Sequence, residues 1–120
     1  MSTLKYFTVE QADDTVIFCA IGTVGSLVED AARDEWDALL NQLESANAKH
    51  AVIDLGALDY FASIMLELMV VLWKRVDSKG GKLALCNVSP VGLEILNTAK
   101  FNTLWPIVRG RKEALKAVQE

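Results

Sequence analysis

Histidine, cysteine and proline are scarce in this chain: one, two and two among 120 residues. Each scarcity excludes something. The lone histidine, His50, precedes an apolar run, and nothing places it near a serine that it could activate. No Gly-x-Ser-x-Gly elbow surrounds a serine either, so a hydrolytic triad has no plausible base. Cys19 and Cys86 each sit inside an apolar stretch and read as reduced core thiols, with no disulfide framework or metal site suggested. Gly80-Gly81 is not followed by the lysine and serine of a phosphate loop. Basic residues are too few for a nucleic-acid footprint: Lys+Arg number 12 against 16 Asp+Glu, a net charge of −4. Long apolar runs are also missing. The longest uncharged stretch, Thr15 to Val28, has 14 residues and two glycines, too short to span a bilayer. The start, Met1 to Tyr6, shows no basic flank leading into an apolar segment, so a cytoplasmic protein without a secretory leader is expected. The expectation is a non-enzyme with no cofactor and no metal.

What is present is a core. Hydrophobic residues make up 52% of the chain and charged residues 23%, the composition of one compact domain over residues 1–120. Leu4 to Glu10 reads as a strand, Gln11 to Asp14 as a polar turn, and Thr15 to Ile21 as a strand covered on both faces. The short connection predicts an antiparallel hairpin. Asp30 to Ala46 is helical in period, with Ala32, Trp36, Leu39, Leu40 and Leu43 on one face and acids in its first turns. Ala51 to Leu55 is a short buried strand. Ala62 to Ser78 is a second helix, ended by Gly80-Gly81, and Lys82 to Cys86 a further strand. Ser89-Pro90 opens a third helix to about Ala99, with Val88 and Leu93 spaced as a hydrophobic staple. Leu104 to Val108, which includes Trp105, reads as the last strand. Arg111 to Val118 reads as the closing helix, and Arg109, Arg111 and Lys112 as a solvated basic cluster at its start. From residue 15 the order βαβαβαβα predicts a mixed, mostly parallel sheet packed with about four helices, an α/β fold.

The second helix carries the functional information. At about 100° per residue, Ser63, Glu67, Val70, Lys74, Asp77 and Ser78 share a narrow stripe. Ile64, Met65, Leu68, Met69, Leu72 and Val76 occupy the far side, and Arg75 must snorkel out from the apolar arc. Leu66, Val70 and Trp73 border the stripe. Ser63 stands at the helix start, where unpaired N–H groups and the dipole favour an anion. It is either a capping serine or an acceptor whose phosphate would add about −1.5 to −2 charge beside Asp59 and Glu67. Asp54, at a strand end, lacks the further carboxylates of a magnesium site and is expected to bond backbone N–H groups of the next loop.

The segment Ala51-Val-Ile-Asp-Leu-Gly-Ala-Leu-Asp-Tyr-Phe-Ala-Ser-Ile-Met-Leu-Glu-Leu-Met resembles the core motif of the STAS family, found in sulfate transporters and anti-sigma factor antagonists. Asp54-Leu55 matches the family's strand end, Ser63 its phosphorylated serine, and Leu66 its helix leucine. Gly80 to Ser89 resembles the family's glycine pair, strand and Asn-Val-Ser run. Ala62, Ile64, Met65 and Gly25 depart from the pattern, and two of these replace acids around the acceptor. The resemblance implies a single STAS-like domain that binds an anti-sigma factor with serine kinase activity through Ser63, Leu66, Glu67, Val70 and Trp73, with Asp54 and Asp59 structuring the loop. Phosphorylation of Ser63 would release the partner and so control transcription indirectly. The alternative is a STAS scaffold without phosphorylation, binding another regulatory domain or a second copy of itself through the same helix.

Overall fold

The computed structural model describes residues 7–20, 29–57 and 63–119; for residues 29–32, 63 and 64 it describes the helical backbone and not the side chains. The elements are β1 (Phe7–Ala12), β2 (Thr15–Ala20), α1 (Glu29–Ser45), β3 (His50–Asp54), α2 (Ser63–Asp77), β4 (Leu83–Cys86), α3 (Pro90–Thr98), a 3₁₀ turn (Phe101–Thr103), β5 (Ile107–Val108) and α4 (Arg111–Gln119). The strands lie side by side in chain order. β1 is antiparallel to β2, and β2, β3, β4 and β5 are parallel. This is the mixed, mostly parallel sheet with four helices that the alternation of apolar runs and helical periods predicts.

Alternation along the strands sorts the core into two sides. Val16, Phe18, Ala51, Ile53, Leu83 and Leu85 join the helix residues Trp36, Leu39, Leu43, Met65, Leu68, Met69, Leu72 and Leu96 in the larger cluster. Ile17, Val52, Ala84 and Cys86 join Ala114 and Val118 of α4 in the smaller one. Both faces are therefore covered, which is why the central strands read as nearly continuous apolar runs. The far side expected for α2 is buried at each residue whose side chain is described, while Leu66, Val70 and Trp73 are half-buried.

Three expectations need correction. The first strand continues through Gln11 and Ala12, and the turn shrinks to Asp13-Asp14. The ladder runs to the pair Ala12–Thr15 and Asp13 takes a left-handed conformation (φ 54°), which a short polar side chain tolerates. Residues 4–6 of the expected strand lie outside the described residues. The last strand is only Ile107–Val108. Phe101 to Thr103 form a 3₁₀ turn, and the Trp105 N–H donates to the Phe101 carbonyl. The Trp105 ring packs against Trp73 and Phe101 at centroid distances of 6.0 and 5.0 Å. That packing turns Trp105 away from the ladder, and Pro106, with no N–H to donate, joins it only through its carbonyl, which accepts from the Leu85 N–H at 2.9 Å. Arg111, expected in solvent, is half-buried and paired, as described next.

Candidate functional site

The carboxyl ends of the parallel strands bring together three connections: the one from β3 to α2, the one from β4 to α3, and the one from β5 to α4. Asp54 is the last residue of β3 and only 7% exposed. Its Oδ1 accepts from the Gly56 N–H at 2.9 Å and from the Asn87 amide at 3.1 Å. Its Oδ2 accepts from Arg111 Nε at 2.7 Å, and Arg111 Nη1 reaches on to Glu10 of β1. Burial by itself would raise the Asp54 carboxyl, but the Arg111, Gly56 and Asn87 donors and the Arg111 charge hold it below its ordinary value. The Asp54 bond raises Arg111 in turn, and Glu10 adds to it. The network ties β1, β3, the turn after β4 and α4 together. A Cβ at residue 56 would stand 3.1 Å from Asp54 Oδ1 and 3.3 Å from Asn87 Cβ, which accounts for a glycine there.

Ser63 is the first residue of α2. Asp59 and Gly25 lie outside the described residues, as does Ala62. One turn past Ser63, Glu67 pairs with Arg33 of α1, Oε2 to Nη2 at 2.9 Å. Leu66 lines two neighbouring grooves. One, of about 500 Å³, continues over α3 along Val91, Glu94, Ile95, Thr98 and Ala99. The other, of about 360 Å³, runs along Glu67, Val70, Val71 and Phe101. Leu66, Glu67 and Val70 therefore share one surface. Trp73 is turned to the aromatic packing with Trp105 instead and lines neither groove. Val71, 41% exposed, and Val91, 49% exposed, were missed by the sequence reading. Val71 was within reach of it, because the helical period sets residue 71 beside Glu67. Val91 and Phe101 come from other elements, and no local pattern points to them.

Among the described residues the lone histidine stands apart from the Asp54 network. His50 opens β3 and Asp54 closes it, so the strand separates them by about 13 Å at ~3.3 Å per residue. The His50 Nδ1 accepts from the Lys82 N–H at 3.0 Å. Burial pushes the Cys86 thiol up to about 12, with the Asp54 charge adding to it, so it is no nucleophile. Among the described residues no group of three His, Cys, Asp or Glu side chains could hold a metal ion, and no helix is long and apolar enough to cross a membrane.

A mixed sheet wound in this order, with a serine opening the helix after β3, defines the class. The STAS domain model matches residues 6–114, and the chain belongs to the STAS domain family. Its fold is that of anti-sigma factor antagonists. BtrV of Bordetella bronchiseptica, named as a candidate anti-sigma factor antagonist, is 28% identical over 110 residues, covering 92% of this chain and 91% of that protein. The structure of an anti-sigma-factor antagonist (STAS) domain protein from Planctomyces limnophilus matches with a TM-score of 0.81 and 27% identity over 95% of this chain and 98% of that one. An anti-sigma factor antagonist from Mycobacterium paratuberculosis shares the fold at a TM-score of 0.77 and 18% identity, over 95% and 93% of the two chains.

Proposed function

We propose that this chain is a protein-binding module of the anti-sigma factor antagonist type, which docks an anti-sigma factor on the exposed side of α2 and is released by phosphorylation of Ser63. The observation that carries the proposal is the surface shared by Leu66, Glu67, Val70 and Val71. It begins one turn after Ser63, on a helix whose other face is buried at Met65, Leu68, Met69, Leu72 and Val76. An apolar stripe with a charged rim suits a reversible interface rather than catalysis. The partner acts as a serine kinase: the Ser63 hydroxyl oxygen bonds to the γ-phosphorus of ATP, the bond to ADP breaks, and the hydroxyl proton is lost. The resulting dianion suits the helix start in the free protein but is repelled within a tight interface, where ~1.4 kcal/mol is a tenfold loss of affinity. Holding the anti-sigma factor frees a sigma factor, so the protein controls transcription at one remove and works in the cytoplasm.

The test is incubation with ATP and a cognate anti-sigma kinase, followed by mass spectrometry and pull-down. A phosphate on Ser63 and loss of capture by Ser63→Asp are expected; an unmodified Ser63 removes the switch. A second reading is favoured by Ala62 and Ile64, which stand where the family carries acidic and hydroxyl residues. It is a scaffold that binds a regulatory domain, or a second copy, without modification. Full binding and full response in vivo by Ser63→Ala, together with unchanged binding by Ser63→Asp, select it.

A further inference from the structure

Among the described residues two arginines tie α1 and α2 together: Arg33 to Glu67 at 2.9 Å and Arg75 to Glu44 at 3.3 Å. The second pair lies three turns from Ser63, and Lys79 shares it. The first includes Glu67, one helical turn after Ser63. Its side chains are 41% and 58% exposed, and a pair so open to water contributes at most ~1 kcal/mol to stability. Its importance is its position. Glu67 follows Ser63 by four residues, so the two share a helix face one turn apart. Helix side chains lean toward the helix amino terminus. The Glu67 carboxylate, and the Arg33 guanidinium that it holds, therefore lie over the turn that Ser63 begins.

We propose that Arg33 pairs with the phosphate of phosphorylated Ser63 and leaves Glu67 to do so, which makes the ion pair a relay within the switch. This inference rests on the phospho-switch described above. Before modification, Arg33 neutralises Glu67 and residue 63 carries no charge. A phosphoserine has nearly twice the charge of a carboxylate and three acceptor oxygens that match the guanidinium fork, so it wins the competition. The move required is about one helical turn, ~6 Å over four residues. Glu67, released, then stands as a second negative charge beside Leu66, Val70 and Val71. One modification thus changes the docking stripe at two points, from neutral to a net charge of about −2.

The experiment installs phosphoserine at residue 63 by genetic encoding, so it depends on no kinase. The second phosphate ionisation is followed by phosphorus NMR in the otherwise unchanged protein, in Arg33→Gln and in Glu67→Gln. Arg33→Gln is expected to raise the midpoint by about half a pH unit, a threefold change. Glu67→Gln is expected to lower it, because it removes both a competitor and a like charge. In the protein with no other substitution, the Arg33 Nε–H resonance should shift on phosphorylation, a readout that needs no variant to fold. Equal midpoints with and without Arg33, or an unmoved Arg33 resonance, overturn the relay. A partner that binds the phosphorylated and unmodified proteins equally well sinks the switch itself and leaves these NMR readouts untouched.

Discussion

Arg111 holds two carboxylates at once, the buried one of Asp54 and the exposed one of Glu10. Only the first matters much for stability, since the second is screened by water. Arg111→Ala leaves Asp54 with two of its three donors and should cost about 2 kcal/mol, read as a lower urea midpoint. Arg111→Lys should recover part of that loss. Because the folded Asp54 carboxyl ionises below its unfolded value, its contribution is present above pH ~4 and is lost as pH falls through the folded value. His50 has the opposite sense. Burial is the main cause that holds its imidazole below the ordinary value, the Lys49 and Lys82 charges help, and Asp14 opposes them. The unfolded chain therefore binds the proton first, and stability declines as pH drops below about 6.5. Protonating Nδ1 would also break its bond from the Lys82 N–H. His50→Asn, which keeps an acceptor and cannot titrate there, should flatten the melting temperature between pH 6.5 and 5.5. An equally steep decline in that variant would assign the effect to other groups.

At the scale of elements, the ends of the helices are where local chemistry speaks most clearly. Ser89 caps α3, its Oγ accepting from the Gly92 N–H at 2.9 Å, with Pro90 at the first helical position. Ser89→Ala should cost about 1 kcal/mol, measurable by denaturant titration. α2 ends where Gly80 takes φ 77° and the Gly81 N–H donates to the Val76 carbonyl. A Cβ on Gly81 would fall 1.7 Å from the Lys49 carbonyl oxygen. Gly81→Ala must therefore displace the chain leading into β3, and a large loss of soluble, folded protein is expected. Helix boundaries such as these were legible within a residue or so, because caps and glycines act over three or four positions. The last strand was not. Trp105 and Pro106 sit in an apolar run that reads as a strand, but Trp105 is drawn into packing with a residue more than thirty positions away.

For the molecule as a whole, the sheet buries both faces, and α2 and α3 are left with a shared apolar surface. Val71 is 41% exposed in the adjoining groove, which meets that surface at Leu66. Val71→Glu puts a good helix former in its place and should change stability by less than about 0.5 kcal/mol. It should nevertheless weaken capture of the proposed anti-sigma partner at least tenfold. Unchanged capture would move the docking surface off this groove.

The amino-acid order alone determined the α/β class, the parallel winding, the buried side of α2 and the serine at its start. These rest on periods of two and of about 3.6 residues and on capping chemistry, which act between near neighbours. Tertiary structure alone decided that Arg111 meets Asp54 across 57 residues, that Arg33 meets Glu67 across 34, and that α3 supplies most of the groove beside Leu66. A charged side chain carries no periodic signal that names its partner. Which acid an arginine finds is set by how the strands and helices come to lie, and that is settled only when the sheet is assembled.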